Sequence, residues 1–131
     1  MSENKNYSVK IVESSKELNA LERVAYKNTS DAIKLDEIVN DGAFTVTIVD
    51  FAVLGIHNEK VKNGDKDYEQ YLLISDTGDK YITGSPSFWT QFRDIYDELS
   101  ADGIKEIPLK IFKLDSKNYS GKKFLTCGIG A

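Results

Sequence analysis

From Ala43 onward the chain alternates apolar and polar positions in short runs, and the period of that alternation changes once. Phe44, Val46 and Ile48 alternate with Thr45 and Thr47, which predicts a strand running from Ala43 to Ile56. Near Asp50 the phase shifts, and Phe51, Val53 and Leu54 follow out of step. Such a shift predicts either a β-bulge within one long strand or two strands meeting at a tight corner. A second run, Tyr68 to Ser75, sends Leu72 and Ile74 to one face and Tyr71 and Leu73 to the other. The turn Asp76-Thr77-Gly78-Asp79 leads into a short third strand, Lys80 to Thr83. The period then lengthens. A helix opens at Ser85 or Ser87, where Ser85 can cap with Pro86 at the first position, and Phe88, Phe92, Ile95, Tyr96 and Leu99 form one stripe, opposed by Asp94, Asp97 and Glu98. Trp89 falls at the edge of that stripe, and Gly103 closes the helix. Two further strands, Ile107 to Leu114 and Lys123 to Ile129, complete the pattern, with Pro108 suited to an edge or to a strand's first residues.

The resulting order is β-β-β-α-β-β, that of an all-β, five-stranded OB-fold barrel with one or two helices, whose lone helix stands between the third and fourth strands and plugs the barrel's bottom. We assign residues 42–131 to this domain and 1–41 to an N-terminal extension. In the extension Leu18, Leu21, Val24 and Ala25 predict one face of a short helix preceded by Ser14 and Ser15. Ala32, Ile33, Leu35, Ile38 and Val39 form a second apolar group that ends at the turn Asn40-Asp41-Gly42. Neither group can fold alone, so the extension is expected to pack on the barrel or on a neighbouring subunit.

Composition narrows this reading. With 131 residues and 40% hydrophobic content the chain can bury a core, and its single cysteine, Cys127, excludes a disulfide within a monomer. No apolar stretch approaches the ~20 residues of a membrane span, and Met1 to Lys10 lacks a signal-peptide core. A soluble, cytoplasmic protein without membrane partners is expected. The net charge of −4 opposes strong non-specific duplex binding. Charge is segregated, however. From Ile104 to the end six lysines face only Glu106 and Asp115, whereas the helical segment Ser85 to Gly103 has Arg93 against four acids.

Catalytic motifs are missing. His57 is the only histidine, no phosphate-binding glycine loop or nucleophile elbow occurs, and no cofactor is implied. The acidic sets Asp65, Asp67, Glu69 and Asp94, Asp97, Glu98 read as solvated surface; a Mg²⁺-dependent nuclease is the weaker alternative. A non-enzymatic binding protein fits better. Tyr71, on a strand face that would otherwise be wet, is either covered by another part of the chain or stacks on a ligand, and Trp89 poses the same choice. His57 to Asp67 reads as a polar hairpin loop turning at Asn63-Gly64-Asp65, and Asp115 to Gly121 as the loop between the last two strands, with Tyr119 at its tip. Aromatic rings flanked by lysines suit an unpaired strand, because a ring stacks on any base while ammonium groups follow the phosphates. The candidate contacts are Lys62, Lys66, Tyr68, Tyr71, Lys80 and Tyr81 in the first part of the domain, and Lys110, Phe112, Lys117, Tyr119, Lys122 and Lys123 in the last hairpin. An OB-like protein-interaction module, resting on the acidic helix and the extension, is the alternative function.

The stretch ISDTGDKYITGSPSFWTQFRDIYDEL from Ile74 to Leu99, with the long first strand and the later PLKIFK and GKKFLTC segments, resembles small single-stranded-DNA-binding proteins of phages and conjugative plasmids of Gram-positive bacteria. The resemblance covers roughly Ile33 to Ala131. It implies an OB-fold, sequence-tolerant binding of single-stranded DNA during replication or transfer of a phage or plasmid, and assembly into a homo-oligomer, either a dimer or a filament-like array. Unlike the housekeeping bacterial single-strand-binding proteins, the chain ends Cys-Gly-Ile-Gly-Ala rather than in an acidic tail with a Pro-Phe pair. Recruitment of repair enzymes through such a tail is therefore not expected.

Overall fold

The computed structural model describes residues 7–39, 42–60, 66–115 and 123–130. In chain order the elements are β1 (Tyr7–Ser14), α1 (Ala20–Lys27), β2 (Ile33–Lys34), α2 (Leu35–Ile38), β3 (Phe44–Asn58), β4 (Asp67–Ser75), β5 (Lys80–Thr83), α3 (Pro86–Ala101), β6 (Ile107–Asp115) and β7 (Lys123–Ile129). The strands form one sheet, ordered β2-β5-β4-β3-β6-β7, with β1 added to β3. Among the described residues there are thus seven strands and three helices where five strands and one or two helices were expected, the surplus coming from the N-terminal residues.

The long β3 organises this sheet. β4 runs antiparallel along one of its edges, while β6 pairs with Phe44 to Ile48 and β1 with Ala52 to Asn58 along the other. Its ladder with β4 slips between Ile48 and Asp50, where the sequence phase changes. This bulge keeps one face apolar on both sides of the slip: Phe44, Val46 and Ile48 before it, Phe51 after it. The sheet curls as a result.

The curl encloses the main core. Phe88 and Phe92 of α3 lie there with Phe51, Leu73, Leu109, Ile111 and Leu125, and Phe51 meets Phe92 edge to face at 5.8 Å between ring centroids. α3 is held at both ends as expected. The Ser85 hydroxyl accepts from the Phe88 amide at 3.2 Å, and Gly103, at φ +80, takes the left-handed conformation that ends the helix. Among the described residues the sheet does not close into a barrel, because its end strands β2 and β7 are not paired with each other. α2 fills the opening: Leu35 and Val39 are buried in the main core, the Asp36 carboxylate accepts from Thr83 Oγ1 of β5 at 3.0 Å, and the Asp36 carbonyl accepts from Lys113 Nζ of β6 at 3.0 Å.

A second core lies on the opposite face of β3, β4 and β5. Ala52, Leu54, Leu72 and Ile82 are covered there by Leu18 and Tyr26, with Val9 and Ile11 of β1 alongside. The predicted N-terminal helix forms, but turned differently. Asn19, not Ser14 or Ser15, caps it by accepting from the Glu22 amide at 2.8 Å while Glu22 Oε1 accepts from the Asn19 amide. Leu18 therefore precedes the helix and drops onto the sheet, Tyr26 provides the buried contact, and Leu21 and Val24 face solvent at 82% and 69% exposure.

Candidate nucleic-acid interface

The outward face of β4 and β5 carries one of the candidate lysines, and that face is covered. Leu72 pairs with Ile82 and Ile74 with Lys80, so these four side chains share one side. Lys80 Nζ donates to the carbonyls of Ala25 at 3.0 Å and Asn28 at 2.7 Å, and sits 2.8 Å from Asp31 Oδ1. An ammonium has three donors, and all three are used inside the molecule. Two of the acceptors lie at the C-terminal end of α1, where a cation is favoured by the helix dipole. The Lys80 hydrogen bond holds the Asp31 carboxyl below its ordinary range.

Tyr71 and Tyr81 point the other way, into the main core, at 8% and 6% exposure. Trp89 lies flat on Tyr71, with ring centroids 4.6 Å apart and planes 5° from parallel. Tyr81 packs against Phe44 at 5.5 Å. Of the two alternatives for Tyr71, a covering by another part of the chain is the one seen, and Trp89 of α3 supplies it. Burial raises both tyrosine hydroxyls above the ordinary range. At these exposures neither ring is an open platform for stacking, although the sequence reading placed both as base contacts. The alternation of β4 fixed which residues share its inner face; the occupant of that face comes from a helix 15 or more residues further along and is not encoded locally.

Lys66 and Tyr68 lie at the loop end of the β3–β4 hairpin. Lys66 Nζ is 3.2 Å from Glu59 Oε1, and Tyr68, opposite Ile56, is partly exposed. Between them His57 bridges two acids, Nδ1 meeting Asp67 Oδ1 at 2.7 Å and Nε2 meeting Glu59. A ring that donates from both nitrogens is an imidazolium, and the Asp67 and Glu59 hydrogen bonds raise its pKa. Asp67, one of the acids weighed as a metal ligand, is therefore already engaged.

The hairpin of β6 and β7 presents a different surface. Ile111 pairs with Cys127 and Lys113 with Leu125 on the core side, leaving Lys110 opposite Gly128, Phe112 opposite Thr126 and Leu114 opposite Phe124 on the outer side. Thr45 of β3 extends the row of Lys110. Leu114 and Phe124 are 47% and 38% exposed, Phe112 is half-buried, and Lys110 is exposed with no ion-pair partner among the described residues. Lys123 is exposed at the hairpin's end, opposite Asp115. Phe124 was not singled out from the sequence. Its signal was available, since Phe124, Thr126 and Gly128 alternate with the inward Leu125 and Cys127. Burial pushes the Cys127 thiol up to about 12, so it is inert at neutral pH. Lys62, Lys117, Tyr119 and Lys122 lie outside the described residues.

No described helix is long and apolar enough to cross a membrane. Comparison with protein-family models, with curated proteins and with solved structures finds no match to this chain.

Proposed function

We propose that this chain is a non-catalytic, sequence-tolerant single-stranded-DNA-binding protein on an OB-like half-barrel, and that the strand lies on the outer face of β6 and β7. The observation that carries this reading is the coincidence of Phe112, Phe124 and Lys110, which has no ion-pair partner among the described residues, on one exposed strand face, within the only part of the sequence whose charge is strongly positive. Stacking on such rings contributes roughly 1–3 kcal/mol per base and accepts any base. The OB-like assignment draws on the long β3 pairing with both β4 and β6, with α3 between β5 and β6. The sequence resemblance supports a role in phage or plasmid replication or transfer. Assembly into a homo-oligomer belongs to the same proposal, and β1, paired with β3 on one side only, offers an edge for it.

Titration of a labelled oligothymidine at low salt tests this reading. Binding should appear by tens of micromolar protein and weaken as salt rises, with a slope of about 0.7 per phosphate neutralised. Absence of binding in that range overturns it. A protein-interaction module is the second reading, favoured by Leu21 and Val24 standing exposed three residues apart on α1. Apolar anchors of that kind would give an affinity nearly indifferent to salt.

A further inference from the structure

Beside the first residues of β3, where it pairs with β6, lies an open hollow of about 400 Å³. Phe44, Pro108 and the largely buried Tyr81 are among its lining residues, and its polar ones include Thr45, Thr47 and Asp76. It adjoins the interface proposed above, because Thr45 pairs with Lys110 and Thr47 with Pro108. Asp76 is held there by its backbone: its amide donates to the Thr47 carbonyl at 3.0 Å. The turn behind it is tied by Ser75, whose hydroxyl accepts from the Asp79 amide at 3.1 Å, and by Gly78 at φ +90. The Asp76 carboxylate itself has no hydrogen-bond or ion-pair partner among the described residues.

The chemistry of these walls restricts the occupant. No lysine or arginine lines the hollow, and a free carboxylate repels phosphate, so the sugar-phosphate chain does not enter. What fits is a flat ring that donates hydrogen bonds to a carboxylate acceptor. Among the bases, guanine presents two adjacent donors, N1–H and the 2-amino group, matching the two carboxylate oxygens. Cytosine and adenine present an amino group beside an acceptor. Thymine presents a single N3–H between two carbonyls, which a carboxylate opposes.

We propose that this hollow receives one base of the bound strand by its amino-bearing edge, guanine in preference to the others, so that binding is tolerant along most of the strand and selective at one position. The inference rests on the single-strand reading above. Competition against labelled oligothymidine tests it, using thymidine tracts that carry one central guanine, cytosine or hypoxanthine. The single-guanine tract should compete about tenfold better than pure oligothymidine, the scale of one good bidentate base contact. Hypoxanthine, lacking the 2-amino group, should lose most of that gain. In Asp76→Ala the ratio of the guanine and thymine affinities should fall to near one, and the ratio is the readout rather than either affinity. Equal competition by all tracts against the unaltered protein overturns the base-reading hollow and leaves the single-strand reading standing. Failure of every oligonucleotide to bind overturns both.

Discussion

Two antiparallel strand pairs in this molecule carry the same kind of outer face and meet different fates. β4 and β5 present Leu72, Ile74, Lys80 and Ile82; β6 and β7 present Lys110, Phe112, Leu114 and Phe124. On the first pair the N-terminal segment has folded across, burying Leu72 and Ile82 under Leu18 and Tyr26 and using every donor of Lys80. On the second, apolar side chains stay exposed beside a lysine with no ion-pair partner among the described residues. Alternation alone assigns residues to faces. Whether a face becomes core or binding surface is decided by what remote chain arrives to cover it.

The largest expected difference between the two faces is in stability. Leu72→Ala removes a fully buried side chain and should cost about 2–5 kcal/mol in urea unfolding, whereas Phe124→Ala on the open face should cost well under that. Similar losses at the two positions would mean that the hairpin face is covered too. Binding should separate them in the opposite sense. Phe112→Ala with Phe124→Ala should weaken oligothymidine binding by about 1–3 kcal/mol for each base that loses its platform, while the double variant keeps its unfolding midpoint close to the parent. The lysines offer a third contrast. Lys80→Ala breaks charged hydrogen bonds within the fold and should lower stability by about 1–3 kcal/mol, whereas Lys110→Ala should leave stability nearly unchanged and reduce the salt slope of binding by about 0.7.

The smallest effect concerns pH and sits at the rim between these regions. His57, bridging Asp67 and Glu59, has its folded pKa raised above 6.5. The folded state then holds the proton more tightly than the unfolded chain. Its contribution is fully present below pH 6.5 and fades as the pH climbs through the folded value. Urea midpoints should therefore fall slightly between mildly acidic and mildly alkaline buffer, and His57→Gln should flatten this trend. A midpoint that rises with pH over the same window, and does so only with His57 present, would contradict the bridged geometry.

Much of the fold was legible in the sequence where a local rule was sufficient. The Ser85-Pro86 cap, the stripe from Phe88 to Leu99 and the phase change near Asp50 each depend on neighbours within a turn or two, and each appears in the structure. β1 escaped notice although Tyr7, Val9 and Ile11 alternate with Ser8 and Lys10, because the run is short and Val12 and Glu13 break its period where its own ladder slips. β2 and α2, two and four residues long, are too short for any period to show, and they form against β5 and the main core. The candidate site was legible in part for the same reason. Lys110 and Phe112 could be placed on an outer face from alternation, but the pairing of Tyr71 with Trp89 and of Lys80 with α1 joins segments far apart in the chain.

The most direct test of where a strand lies is the change in backbone amide resonances as oligothymidine is added. The account predicts shifts concentrated at Lys110, Phe112, Phe124 and Thr126, with Leu72, Lys80 and Ile82 nearly still. Shifts concentrated on β4 and β5 instead, with the β6–β7 face unmoved, would contradict it.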